Sequence, residues 1–161
     1  MVFMRADLRP GELDDLAVVQ LLHALDEEIR SRYEDPVEDF VLKLDRDEVA
    51  PGHGAVVVAW ADEKAVGCGA VRLLSGETAE LKRMYIAPEY RRQGIAGAML
   101  MFLENRAHAL GATRVVLETV MDPPAAVALY RAAGYEEIPK FGRYVESEIS
   151  LCLGKVLDRP L

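Results

Sequence analysis

"PEYRRQGIAGAML", residues 88–100, sets Arg91, Arg92, Gln93 and Gly94 directly ahead of an apolar pattern with helical spacing. A helix that begins here leaves its first backbone N–H groups unpaired and carries partial positive charge at that end. Gly94, Ala96 and Gly97 keep the start of the helix free of bulk, so a large anion has room to approach the backbone. Arg91 and Arg92 add charge-assisted donors at the rim. The combination suits a pyrophosphate. Two common pyrophosphate loops do not fit. The dinucleotide fingerprint needs G-x-G-x-x-G tight against the preceding strand, but Ala96 replaces its second glycine and Gly94 lies eight residues beyond Ile86. The nucleoside-triphosphate loop needs G-K-[ST], which is absent.

The neighbouring sequence gives the setting. Upstream, "AELKRMYIA" reads as a strand that ends at Pro88, and "AVVVAWADEKAVGCGAVRLL" reads as two strands joined near Asp62-Glu63-Lys64. Downstream, the apolar positions Ile95, Met99, Phe102 or Leu103, Ala107 and Leu110 form one helix face, and Gly111 stops the helix. "TRVVLETV" is a strand. "PAAVALYRAAG" is a short helix between Pro123-Pro124 and Gly134, and "YEEI" and "SEISLCLGKVL" are late strands around a "PKFGRY" loop. At the N-terminal side, "VFMRADL" reads as a first strand and Leu13 to Ile29 as an amphipathic helix. Pro36 interrupts that helix, and "VEDFVLKL" follows as a second one. The expected fold is α/β, with a mixed, mostly antiparallel sheet of six to seven strands and about four flanking helices in a single domain over residues 1–161.

Composition narrows the function. The 161 residues are 51% apolar and carry a net charge of −8. That charge excludes a nucleic-acid surface, which needs a basic footprint, and leans weakly toward cationic substrates. No apolar run approaches the length of a membrane span, and no apolar leader opens the chain, so a cytoplasmic location with no membrane partner is the expectation. Cys68 and Cys152 lie in strand-like apolar runs and read as reduced core residues. His23, His53 and His108 lack ligand spacing, so no metal is expected.

The stretch resembles the R/Q-x-x-G-x-G/A acyl-CoA signature of the GNAT family of N-acetyltransferases, with Arg91, Gly94 and Ala96 in its defined positions. "ELKRMYIAPEY" looks like the family's fourth strand, and "AAVALYRAAGY" looks like its second cofactor motif, A-x-x-L-Y-x-x-x-G-F/Y. The resemblance covers about residues 55–155. Pro123 stands where the family often has an asparagine, seven residues before the motif tyrosine. The pieces together look like a bacterial subgroup of mostly small-molecule or unassigned acetyltransferases. The resemblance implies direct transfer of an acetyl group from acetyl-CoA, as cosubstrate, to an amine.

By that resemblance, backbone groups of Ile86 hold the pantetheine arm. Residues Arg91, Arg92, Gln93, Gly94, Ile95, Ala96 and Gly97 hold the pyrophosphate, and Tyr130 borders the cofactor. The Met84 N–H is the donor toward the developing oxyanion, and Tyr130 is the acid that protonates the departing thiolate. Glu80 matches the fourth-strand base of the histone-acetylating branch, and Glu118 competes with it from the next strand. Otherwise Glu80 is a solvent-facing strand residue paired with Lys82 or Arg83. Tyr33, Arg83, Glu118 and Tyr144 are the candidate substrate liners. Three functions stay open: transfer to a small-molecule amine, transfer to a lysine or N-terminus of a protein, and a non-catalytic acyl-CoA-binding module. A homodimer is also left open.

Overall fold

In the computed structural model, which describes residues 6–32, 43–121 and 124–157, the long β2–β3 hairpin is the centre of one half of the sheet. Strands β2 (Gly54–Ala61) and β3 (Lys64–Ser75) are joined by Asp62 and Glu63, both at positive φ, with Ala61 opposite Lys64. A two-residue turn with positive φ at both positions matches the right-handed twist of its strands. β4 (Thr78–Ile86) returns beside β3 across the Ser75–Thr78 turn. β1 (Asp7–Gly11) lies outside β2. This strand overlaps the expected "VFMRADL" at Asp7 and Leu8 and runs on through Pro10 and Gly11; residues 2–5 of that stretch lie outside the described residues. An edge strand pairs on one side only, so a residue without an N–H is tolerated there.

Helix α1 (Leu16–Ser31) lays Val18, Leu21 and Leu25 over Val56, Val58, Cys68, Ala70 and Tyr85 on one face of this half. Helix α2 (Ile95–Ala109) covers the opposite face with Ile95, Met99, Leu100, Leu103 and Ala107. Gly111, at φ 97°, ends it in the left-handed conformation that favours glycine. β5 (Arg114–Val120) follows, then helix α3 (Ala125–Ala132), the two-residue β6 (Glu136–Glu137) and β7 (Ser150–Val156). The seven strands run in the order β1-β2-β3-β4-β5-β7-β6. All neighbours are antiparallel except β4 and β5. The fold is the expected mixed, mostly antiparallel α/β sheet between helices. Cys68 and Cys152 are buried and unpaired by disulfide, as read from the sequence. The second helix expected over residues 37–44 falls almost wholly outside the described residues, as do Tyr33 and Pro123.

The β4–β5 ladder matters most for the site. Its parallel register covers only Thr78–Leu81 against Arg114–Leu117. β4 continues to Ile86 along β3, and β5 continues to Val120 along β7, without pairing to each other. The two strands diverge into a fork that opens within the sheet.

Candidate active site

The bulge in β4 begins one arm of the fork. Cys68 pairs with Tyr85 and Ala70 with Lys82, so Arg83 and Met84 together oppose Gly69. Such a bulge re-aims the backbone. Here Arg83 takes φ 61°, an uncommon conformation for a long side chain. Its guanidinium is 6% exposed and tied to α1, through an ion pair to Asp26 and a 3.3 Å hydrogen bond to the Leu22 carbonyl. Arg83 therefore anchors the bulge to the helix behind it, which leaves its guanidinium committed away from the substrate role expected of it. Met84 sits at the bulge, where the sequence reading placed the oxyanion donor.

Beyond β4, the chain turns into α2 through the opening stretch. Arg91 Nε donates to the Ile86 carbonyl at 2.8 Å, and its Nη2 lies 3.0 Å from Glu28. The guanidinium also stacks 5.6 Å from the Tyr85 ring centroid. The Arg91 side chain thus braces the loop against α1. Arg92 and Gly94 both have positive φ, and Gln93 Nε2 reaches the Glu89 carbonyl at 3.4 Å. Gly94 caps α2 without a side-chain hydrogen bond, and the first intrahelical bond of the turn is Ala98 N–H to the Gly94 carbonyl. The N–H groups of Ile95, Ala96 and Gly97 precede it. A Cβ at Gly94 or Gly97 would meet no atom within 4 Å. An anion has open space over this uncapped helix end, so the residues present fit the pyrophosphate of an acyl-CoA.

The other arm carries Glu118. Ser150 Oγ donates to Glu118 Oε1 at 2.9 Å and accepts from Ser147 Oγ at 2.8 Å. Burial, reinforced by the nearby Glu80 charge, pushes the Glu118 carboxyl up to about 7 against the opposing effects of Ser150 and Lys82. Tyr130, on α3, is buried and packs edge-on to Tyr135 with 5.8 Å between centroids. Burial, with the Glu118 charge added, drives its phenol well above the ordinary tyrosine range, so it stays protonated. Its hydroxyl has no hydrogen-bond partner among the described residues.

Glu80 departs from the alternative reading of a solvent-facing strand residue. It is 1% exposed and pairs with neither Lys82 nor Arg83. Arg72, directly opposite on β3, binds its Oε1 through Nε at 3.0 Å and Nη2 at 2.9 Å, and Tyr144 Oη donates to Oε2 at 3.1 Å. Arg72 also pairs with Glu48. Both Glu80 oxygens are committed to this network, whereas Glu118 Oε2 has no such bond among the described residues. Tyr144 contributes its ring, edge-on to Phe141 with 5.3 Å between centroids, to a cavity of about 310 Å³. Glu80, Arg72 and Lys82 line the same cavity. Sequence reasoning missed Arg72, Lys82 and Ser150. For Arg72 a signal existed, because positions 72 and 80 are equidistant from Gly76 in the β3–β4 turn.

The profile of the Acetyltransferase (GNAT) family matches residues 19–135 of the chain. Over 150 residues the chain is 35% identical to an IAA acetyltransferase of Azospirillum brasilense, covering 92% of this chain and 95% of that one. A structure from Klebsiella pneumoniae, assigned as an acyl-CoA N-acyltransferase, is similar with a TM-score of 0.79 and 25% identity over 96% of this chain and 99% of that one. The PaiA N-acetyltransferase of Thermoplasma acidophilum, in complex with coenzyme A, shares the fold with a TM-score of 0.73 at 16% identity, over 96% and 100% of the two chains. With the fork, the uncapped helix end and both motifs in place, the chain belongs to the GNAT family and is an acetyl-CoA-dependent acetyltransferase.

Proposed function

We propose that the protein acetylates the amine of a small molecule, with Glu118 as the general base. The observation that carries this reading is the fork. The β4–β5 ladder stops at Leu81 and Leu117, with a carboxyl of pKa about 7 on its β5 arm and an uncapped helix N-terminus at the end of its β4 arm. The cavity beside it holds about 310 Å³, at the lower end of the range of small-ligand sites.

Acetyl-CoA, when bound, supplies the activated acetyl group. Its pyrophosphate is held by the N–H groups at the start of α2. The Met84 backbone, turned by the bulge, donates to the carbonyl oxygen as that oxygen gains charge. Glu118 takes a proton from the amine as the C–N bond forms. A base near pKa 7 is half ionised at neutral pH and still strong enough to accept that proton. Tyr130 donates toward the sulfur as the C–S bond breaks. Its raised pKa makes full transfer to a thiolate uphill, so its main contribution is a hydrogen bond that stabilises the leaving group, with solvent completing the protonation. Glu80 keeps Arg72 and Tyr144 in place around the acceptor cavity.

The test is thiol release from acetyl-CoA across amino acids, polyamines, aminoglycosides and basic peptides. Turnover of a small amine, with Tyr130→Phe slowed about 10²- to 10⁴-fold, is the expected result. Turnover of peptides alone would move the assignment to protein acetylation, and tight CoA binding without any turnover would leave a non-catalytic module.

A further inference from the structure

The chain is acidic as a whole, at −8, but its acceptor cavity is not. Among the described lining residues, Lys43, Arg72, Lys82 and Arg143 are basic, and Asp45, Glu48 and Glu80 are acidic. The acidic side chains are already engaged. Arg72 binds both Glu48 and Glu80, and Lys43 lies 3.7 Å from Asp45. Lys82 makes no ion pair among the described residues. It follows the last residue of β4 that pairs with β5, so its ammonium stands where the fork opens and close enough to Glu118 to act on that carboxyl.

We propose that Lys82 is the anchor for an anionic group on the acceptor, so that the substrate class is an amine that carries its own carboxylate, as an amino acid does. This deepens the small-molecule reading and rests on it. An ammonium that is half-buried in a cavity, with the Glu80 and Glu48 charges near it but in no direct ion pair among the described residues, is stabilised by a ligand that brings one. Burial, with the Arg72 and Arg83 charges added, holds the Lys82 pKa below the ordinary lysine range against the opposing pull of Glu80 and Glu48, so their compensation is incomplete. The amine of the same ligand would extend toward Glu118, which lies outside the cavity lining but within electrostatic reach of Lys82, while Phe141 and Tyr144 give its carbon skeleton an aromatic wall. Polycations, toward which the net charge leans, meet two unmatched disadvantages here: Lys82 itself, and carboxylates already held by Arg72.

The experiment compares standard L-amino acids with their own carboxamides, alongside spermidine, in wild type and in Lys82→Met and Lys82→Arg. In wild type, kcat/KM should favour the acid over its amide. Lys82→Met should erase that preference by raising KM for the acid about 10- to 100-fold, with little change for the amide. Lys82→Arg should retain most of the preference. Using the acid-to-amide ratio removes any effect of Lys82 on Glu118, which both acceptors share. An equal effect of Lys82→Met on acid and amide overturns the anchor, and so does a wild-type preference for spermidine or for the amide. If wild type acetylates no amine, the transfer reading itself fails. Calorimetric titration with N-acetyl amino acids and their carboxamides then decides the anchor alone, and equal affinity rejects it.

Discussion

Glu118 and Glu80 occupy adjacent strands of one sheet, yet their surroundings differ. Glu118 holds one hydrogen-bonded oxygen and a pKa of about 7, so kcat/KM should fall below about pH 7 with the slope of one proton. Glu118→Gln should remove that limb and slow turnover by about 10²- to 10⁴-fold, as a pH–rate profile will show. The same shift has a stability consequence. Between its ordinary value of 4.5 and about 7, the folded state binds a proton that the unfolded state has released, so this group weakens the fold as pH rises through that window. Melting scans should therefore find Glu118→Gln more stable than wild type at about pH 8, with the gap closing as pH falls toward 4.5. Glu80→Gln should behave in the opposite way. Removing one charge from a buried pair costs about 3 kcal/mol, or roughly 10 °C in Tm, and a pH–rate profile that keeps its acidic limb will show that Glu80 is structural. Both glutamates were visible in the sequence as candidates. Their ranking was not, because it depends on Arg72 and Ser150, which reach them from β3 and β7 across separations of 8 and 32 residues.

At the scale of the element, α2 is the part that the sequence described best. Its apolar spacing, its glycine stop and its small N-terminal residues are local properties, and the helix begins at Ile95 as the pattern implies. What the local pattern could not give was the direction of the Arg91 side chain. Its partners Glu28 and Tyr85 lie on α1 and β4, and only the tertiary packing brings them to the loop. The C-terminal extent of the first strand was hidden for a related reason, since Pro10 is acceptable only at an edge and edge position is a property of the whole sheet. Two glycine variants separate folding from binding. Gly97→Ala adds a Cβ to open space in a helix, so thermal melting should find the apo protein unharmed, with a gain of up to about 1 kcal/mol. CoA affinity by calorimetry should fall if the methyl narrows the anion's approach. Gly94→Glu places a negative charge at a positive-φ cap and should abolish CoA binding, with a modest loss of Tm from the strained backbone.

For the whole molecule, ligand linkage gives the broadest check. CoA at about one hundred times its dissociation constant should stabilise the fold by about 2.7 kcal/mol. For a chain of this size that is roughly 5–10 °C in Tm, measurable by scanning calorimetry. The architecture adds something to this figure. The sheet consists of two antiparallel blocks, β1-β2-β3-β4 and β5-β7-β6, stitched together by one short parallel seam. Its ladder is the weakest per residue in the sheet, because parallel pairing is slightly weaker than antiparallel, although Ala79, Leu81, Val115 and Leu117 also lie in the core common to both blocks. A ligand lying in the fork touches both blocks just where the seam ends. It would act as a suture, and deuterium uptake should slow at Thr78–Leu81 and Arg114–Leu117 together when CoA is added. The core shared by both blocks keeps them joined, so the cell's supply of cofactor would set how often the seam frays at the cleft, not whether the molecule holds together.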